Sequence, residues 1–183
     1  RLQGDWSSDV CSSDLLMAAS FLLLKSGLTP YITAAFGEFD THSLHLGSHL
    51  PELQEFSNLL TTLVADMQAT PDPADANFTL AETTTILIIS EFVRTPKFNA
   101  GQGTDHWPSC SAIVMGKGVA DNKVVGATDD QAEALGWVAG AAAPRTVETQ
   151  VLPEHLVAAL LQHLGFPEIA KAINEDRLDE LFV

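Results

Sequence analysis

Basic residues are scarce in this chain. It has nine Lys and Arg against 24 Asp and Glu, which gives a formal net charge of −15 at pH 7. A charge of this size and sign repels phosphate backbones and anionic membrane surfaces, so nucleic-acid binding is not expected. It also repels anionic substrates at long range. A phosphate or sulfate ester would therefore need a locally positive site, supplied by a metal ion or by an arginine such as Arg94.

Cysteines and long hydrophobic runs are scarce as well. The two cysteines, Cys11 and Cys110, form no C-x-x-C pair, so neither a disulfide framework nor a zinc ribbon is expected. The apolar stretch Leu15–Leu24 has about half of the roughly 20 residues that a membrane-spanning helix needs. It predicts a buried helix and no membrane span.

The segment Arg1–Asp14 differs in composition from the rest of the chain. It is rich in Ser and Asp, shows no periodicity, and changes abruptly into the apolar stretch that begins at Leu15. Its string DWSSDVCSSDL resembles a translated sequencing-adaptor remnant, and the alternative is a native disordered arm. The chain is 46% hydrophobic, enough for the core of one domain, which is expected to span residues 15–183.

Hydrophobic periodicity and turn residues predict three helices and four strands. The helices are Leu15–Ser26, stopped by Gly27, then Leu50–Met67, then Pro153–Leu164, with Gly165 past its end. The strands are Tyr31–Phe36, Thr84–Ser90, Ser111–Met115 and, at an edge, Lys123–Ala127. This order predicts an α/β fold with a mostly parallel sheet flanked by helices.

Polar side chains cluster beside three of the predicted strands. The clusters are Asp40 with His42, Glu91 with Arg94, and Asp105 with His106. Open α/β sheets bind ligands at the carboxyl ends of their strands, so we expect the three clusters to meet in one crevice. Outside them, His155 and His163 are expected to be structural or exposed.

The first cluster places one carboxylate and three imidazoles within a short stretch, at Asp40, His42, His45 and His49. Carboxylate oxygens and imidazole nitrogens are the ligands that zinc and similar divalent ions take at about 2 Å. D-x-H is a loose pattern, however. The same residues also fit an ordinary loop and helix start, with Asp40 or Ser48 as the helix cap.

The second cluster, Glu91 and Arg94, follows a predicted buried strand directly. The Glu91 carboxylate could coordinate a metal ion or act as a general base, and the Arg94 guanidinium could hold an oxyanion in a bidentate fork. The alternative is a surface ion pair, which contributes little to stability.

The third cluster lies in a glycine-loosened loop. Gly101 and Gly103 allow the backbone to approach a ligand closely, and the loop delivers Asp105 and His106 just ahead of a strand. Asp105 could orient His106 or bind metal itself. The alternative is a simple turn that Trp107 anchors in the core.

Three motifs, in this order, carry a resemblance: FDTH ending at His42, SEFVRTP ending at Pro96, and GTDHWP ending at Pro108. Together they resemble the bacterial domain-of-unknown-function family numbered fifteen-hundred-and-one, which belongs to the alkaline phosphatase and sulfatase superfamily. The resemblance covers about Leu15 to Phe166.

The resemblance implies an alkaline-phosphatase-like fold, of which this chain would be the carboxy-terminal part. It further implies an exported or periplasmic hydrolase that uses a divalent metal ion, either zinc or calcium or manganese. The substrate would be a phosphate or sulfate ester of a small molecule or carbohydrate. Superfamily relatives carry their nucleophile on an earlier strand, upstream of Leu15, so the chain alone is expected to be inactive. The alternative is a non-catalytic binding or scaffold protein that keeps the fold.

The resemblance also assigns residues, since it gives the metal to Asp40, His42, Glu91 and His106. The chemistry of the clusters adds Asp105 as a further metal ligand and Arg94 as the catalytic residue that holds the anion. Three positions depart from the superfamily pattern. The first Asp and His are spaced two apart and not four, Phe92 stands where a second His is expected, and Val93 replaces a glycine. These departures favour a single-metal or altered site.

Overall fold

The computed structural model describes residues 12–37, 39–136, 151–174 and 176–183. Its helices are α1 (Ser12–Lys25), α2 (His45–Gln68), α3 (Leu80–Thr83), α4 (Pro153–His163) and α5 (Pro167–Ile173), with a 3-10 turn at Asp179–Leu181. Its strands are β1 (Thr85–Ile89), β2 (Val93–Arg94), β3 (His106–Trp107) and β4 (Ala112–Gly116).

These elements form two compact units, and the chain enters each of them more than once. Unit 1 consists of the chain up to Thr84 and of Lys97–Asp105. Unit 2 consists of Thr85–Pro96 and of the chain from His106 onward. Helices α1, α2 and α3 therefore belong to unit 1, and the four strands with α4 and α5 belong to unit 2.

The first helix of unit 1 is close to its predicted bounds but is not buried as predicted. Ser20 and Phe21 are its buried side chains among those described, whereas Leu15 and Leu22 are more than half exposed. α1 ends at Lys25, where a cationic side chain interacts favourably with the helix dipole, and Gly27 comes two residues later with a φ of 68°. The helix begins at Ser12, three residues inside the segment whose composition differs from that of the domain. Residues 1–11 of that segment lie outside the described residues.

The predicted helix Leu50–Met67 is confirmed and extends further at its start. α2 begins at His45, so Pro51 lies inside it, and Met67 is its buried residue. None of the described helices combines the length and the apolarity that a membrane crossing requires.

A capping box begins α3. The Thr79 amide donates to Glu82 Oε2 at 2.7 Å, and the Glu82 amide donates back to Thr79 Oγ1 at 3.4 Å. Two of the amide donors that every helix start leaves without an intrahelical partner are satisfied in this way.

Strands β1 and β4 confirm two of the predicted strands but not their orientation. They pair antiparallel, with Leu87 opposite Val114 and Ile89 opposite Ala112. Each strand pair among the described residues is antiparallel, so the expected mostly parallel sheet is not found there. A parallel pair needs a crossover, usually a helix, whereas residues 90–111 between these strands carry the β2–β3 hairpin.

Two other predicted strands are wrong. Tyr31–Phe36 and Lys123–Ala127 do not form strands. Most side chains of the first segment are exposed, and residues 125–127 of the second are partly buried. A run of β-favouring residues becomes a strand only when a second segment completes its hydrogen-bond ladder. The mixed α/β class holds, with small antiparallel sheets.

The core of unit 2 lies between α4 and the β1–β4 pair. Leu156 and Ala159 of α4 pack with Leu178, and the cross-strand neighbours Leu87 and Val114 lie against them. As predicted, α4 begins with a proline, and Gly165 lies just past its end with a φ of 87°. One side of the strand pair is therefore covered by the helix.

The pKa of Glu82 gives a test of the capping box. The backbone amide and then the hydroxyl of Thr79 donate to its carboxylate and hold the pKa below its ordinary value. At pH values above the ordinary pKa of a glutamate, the box therefore stabilises the fold in full. This stabilisation is lost as the pH falls through the lowered pKa that Glu82 has in the folded state. Of the two Thr79 groups that donate to Glu82, Thr79→Ala removes the hydroxyl and keeps the backbone amide. We therefore expect the pKa of Glu82 to rise part of the way back to its ordinary value in a carboxyl carbon NMR titration.

Thr62→Ala is the matched control, since the Thr62 hydroxyl donates to the Asn58 carbonyl within α2. It should leave the Glu82 titration unchanged. An unchanged Glu82 titration in Thr79→Ala would show that the hydroxyl bond does not form.

Candidate functional site

In unit 1, the segment 97–105 lies along the loop that leads into α2. Ser43 and Gln102 form an antiparallel bridge, and the Thr104 amide donates to the Thr41 carbonyl at 3.0 Å. The Leu44 amide donates to the Gly101 carbonyl at 3.2 Å, and the His45 amide donates to the Gln102 carbonyl at 2.9 Å. The segment thus supplies acceptors to two amides at the helix start, which the helix itself cannot satisfy.

Asn99 organises this segment. Its Oδ1 accepts from the amides of Gly101 and Gly103, at 2.9 and 3.0 Å. Its Nδ2 donates to the His42 carbonyl and to Asp105 Oδ1, both at 3.1 Å. One side chain therefore connects the two loops of unit 1 that carry predicted site residues.

Gly103 brings the two loops into backbone contact. It is buried, and a Cβ atom built on it would overlap the His42 carbonyl and the Ser43 amide. Backbone atoms cannot move aside as a flexible side chain can. Close approach therefore requires a glycine at this position.

Asp40 and His42 form a close pair on the surface of unit 1. Asp40 Oδ1 lies 2.9 Å from His42 Nδ1, and the side chains are 69% and 47% exposed. Two ligand atoms of one tetrahedral ion, each about 2 Å from it, lie about 3 Å apart, so Asp40 Oδ1 and His42 Nδ1 have a separation that fits ligation of one ion. The predicted pair is thus present with geometry suited to holding a cation.

His45 and His49 have a different role from His42. His45 Nδ1 lies 2.6 Å from Thr41 Oγ1 and 3.0 Å from Thr104 Oγ1, and both threonines are buried. The His45 ring stacks on His49 with centroids 4.4 Å apart. These contacts support the structural alternative for His45 and His49, because they hold the loops together below the surface.

In unit 2, the other predicted residues lie on the β2–β3 hairpin and its approach. Glu91 is exposed between β1 and β2. Arg94 pairs with His106 across the hairpin. The His106 ring stacks on Phe92 with centroids 3.9 Å apart, and Arg94 Cζ lies 5.4 Å from the centre of the same Phe92 ring. A guanidinium, an imidazole and a phenyl ring therefore adjoin one another.

Trp107 fixes the hairpin from its other end. Its indole Nε1 donates to the Ala132 carbonyl at 2.8 Å. Asp129 Oδ1 accepts from the amides of Gln131 and Glu133, which closes the turn that presents this carbonyl. Trp107 was predicted to anchor a turn in the core, whereas its indole N–H binds the loop that contains Ala132.

His155 and His163 have structural contacts, as expected. His155 is buried, and its Nδ1 accepts from the Leu152 amide at the start of α4. His163 Nε2 lies 2.9 Å from the Lys117 carbonyl oxygen, and its ring stacks on Phe182.

The structure thus brings the predicted site residues together in two sets. Asp40, His42 and Asp105 are connected within unit 1. Arg94 and His106 adjoin within unit 2, where Glu91 also lies. The meeting of the two sets in one crevice stays a prediction. Sequence reasoning missed Asn99, although the pattern N-x-G-x-G from Asn99 to Gly103 was a signal, since Asn side chains readily accept from nearby backbone amides.

A family model described as "Protein of unknown function (DUF1501)" matches residues 16–170. The chain belongs to the DUF1501 family. The match includes both sets of site residues and ends within α5. Neither a curated protein nor a solved structure matches the chain. The family match therefore assigns no activity to the site.

Gly103→Ala tests the backbone contact on which this site depends. The added methyl group would overlap the His42 backbone, so we expect the free energy of unfolding in urea to fall by about 1–3 kcal/mol. Gly47→Ala is the control, because nothing lies within 4 Å of a Cβ at that position in α2.

Alanine is favoured over glycine in helices by roughly 0.5–1 kcal/mol, so Gly47→Ala should be neutral or stabilising. Equal effects of the two substitutions would contradict the close approach.

Proposed function

We propose that the intact protein is a hydrolase of phosphate or sulfate esters, with a divalent metal ion held by Asp40, His42 and His106. The Asp40–His42 pair supports this most strongly. Its Asp40 Oδ1 and His42 Nδ1 atoms lie 2.9 Å apart on an exposed loop, a separation at which both atoms could ligate one ion.

The proposed ligands suit a catalytic metal. One carboxylate and two imidazoles are a donor set of catalytic zinc sites, which use three protein ligands and keep a fourth position open. Calcium prefers six or more oxygen ligands, so the two imidazoles favour zinc or manganese over calcium. Asp40, His42 and His106 are all exposed, as an open position requires.

Covalent geometry supports His106 as the third ligand. Asn99 Nδ2 donates one hydrogen bond to the Asp105 carboxylate and another to the His42 carbonyl. His106 is the next residue in the chain, and consecutive Cα atoms are about 3.8 Å apart. The glycine-rich segment thus delivers an imidazole directly after a carboxylate that is already fixed.

Arg94 would bind the anionic part of the ester. Its planar guanidinium matches the oxygen geometry of phosphate and sulfate, and it lies opposite His106 in the hairpin. The net charge of −15 makes such a local positive group necessary. When bound, a metal ion would polarise an ester oxygen and stabilise the charge that develops on it. Glu91 and Asp105 are further carboxylates that could coordinate the ion or orient a ligand.

We further propose that the chain is the carboxy-terminal part of an exported, alkaline-phosphatase-like protein. The order of the motifs FDTH, SEFVRTP and GTDHWP supports this. In that superfamily the nucleophile lies on an earlier strand. Hydrolysis is therefore expected of the longer protein, acting on a small-molecule or carbohydrate ester.

A non-catalytic binding or scaffold function is the second candidate, and Phe92 favours it. Phe92 stands at the position where the superfamily pattern has a histidine ligand. Its ring stacks on the His106 imidazole, with centroids 3.9 Å apart. An aromatic ring there adds packing and supplies no donor atom.

Metal binding is the first prediction of the hydrolase proposal. The intact protein, freed of metal by a chelator and then titrated with zinc or manganese in a calorimeter, should bind about one ion. Asp40→Asn and His106→Ala should each weaken binding by at least tenfold, because each removes a ligand. Asp121→Asn makes the same charge change at an exposed residue outside the proposed site and should leave affinity unchanged.

An intact protein that takes up no zinc, manganese or calcium would end the metal proposal. Equal affinities of His106→Ala and the parent would remove His106 from the ligand set.

Ester hydrolysis separates the two candidate functions. With aryl phosphates and aryl sulfates, the intact protein should show activity that His106→Ala reduces by at least 100-fold. Arg94→Lys keeps the charge but loses the bidentate fork, so it should raise KM more than it lowers kcat. A scaffold would show no hydrolysis that these substitutions change.

A further inference from the structure

We infer that Asn99 is the positioning residue of this site, and that its carboxamide sets where the His42 backbone and the Asp105 carboxylate lie. The placement follows from contacts within unit 1. Its effect on a bound metal ion rests on the proposed function.

The Asn99 carboxamide uses its full hydrogen-bonding capacity. A carboxamide has two donor hydrogens and two acceptor lone pairs. The Gly101 and Gly103 amides donate to its oxygen, and its nitrogen donates to the His42 carbonyl and to Asp105 Oδ1. Each partner lies within about 3.1 Å of the carboxamide.

These partners fix the orientation of the carboxamide. Backbone amides can only donate, so the side facing Gly101 and Gly103 must be the oxygen. A carbonyl and a carboxylate accept, so the side facing His42 and Asp105 must be the NH2 group. The oxygen half closes the segment 97–105 on itself, and the nitrogen half fastens it to the loop that carries His42.

The bond to Asp105 is the stronger of the two donations. Hydrogen bonds to an ionised acceptor are roughly twice as strong as neutral ones. Asp105 is exposed, so this bond limits the directions in which its carboxylate can point. Because His106 follows directly, Asn99 also restricts the backbone from which that imidazole projects.

Asn99→Asp separates the two halves of the carboxamide. The substitution is isosteric and keeps an oxygen for the glycine amides. It replaces the NH2 group with an oxygen that faces the His42 carbonyl and the Asp105 carboxylate. The segment should therefore keep its own turn while the two donations become repulsions.

The experiment compares the intact parent protein with Asn99→Asp, and uses Asn58→Asp as a control with the same charge change on an exposed position of α2. In Asn99→Asp, the amides of Gly101 and Gly103 should remain slow to exchange with solvent. The carbonyl carbon resonance of His42 and the carboxyl carbon resonance of Asp105 should both shift. Zinc affinity should fall about 10–100-fold, the usual effect of losing a group that supports a ligand. Asn58→Asp should match the parent in all three measurements.

Unchanged His42 and Asp105 resonances in Asn99→Asp would overturn the inference, and so would unchanged zinc affinity in a parent that binds zinc. A parent that binds no zinc refutes the proposed metal site alone. The resonances then decide the placement, since a shift of both supports it and the absence of a shift overturns it.

A variant that exchanges the two groups covers the case in which Asn99→Asp fails to fold. Asn99→Asp combined with Asp105→Asn lets the new carboxamide at position 105 donate to the new carboxylate at position 99. The exchange restores only this bond, because the His42 carbonyl still faces a carboxylate oxygen. A pair that refolds better than Asn99→Asp alone would confirm that the two side chains bond to each other, and a pair that refolds no better would overturn that bond.

Discussion

Backbone atoms of Gly103 lie against backbone atoms of His42 and Ser43, and the chemistry available to unit 1 depends on this contact. Through it, the segment 97–105 reaches the loop before α2, supplies acceptors to the helix start, and brings Asn99 within hydrogen-bonding distance of the His42 carbonyl. A larger residue at position 103 would separate the two loops. The loop that carries the Asp40–His42 pair would then lose its bonds to this segment.

Local patterns predicted the elements of the fold better than their pairing. The apolar periodicity that indicated α2 and the β-branched runs that indicated β1 and β4 depend on neighbouring residues, and each of these elements is present. Strand direction depends on the path of the intervening chain. Residues 90–111 form a hairpin in place of a crossover helix, and no composition rule revealed this. Tyr31–Phe36 has the composition of a strand but pairs with no strand in the described part of the chain, which a propensity cannot detect.

The candidate site shows a similar division. Asp40 and His42 were predictable because their side chains are chemically distinctive and close in sequence, and they do form a pair. Asn99 was not predicted, since its partners are two backbone amides, one backbone carbonyl and one side chain, and the pattern N-x-G-x-G marks only the two amides. Phe92 was predicted only as a departure from a pattern. Its stack on His106 became visible once the hairpin register was known.

Asn99 and His42 are 57 positions apart in the chain. Unit 1 is therefore interrupted in the gene, because the strand β1 and the first half of the hairpin are encoded between its two pieces. During translation at 5–20 residues per second, the ribosome needs roughly 3–11 seconds after making the start of α2 to deliver its partners. For that interval the emerging helix start has no acceptors from residues 101 and 102. A polypeptide released at Thr84 would never receive them.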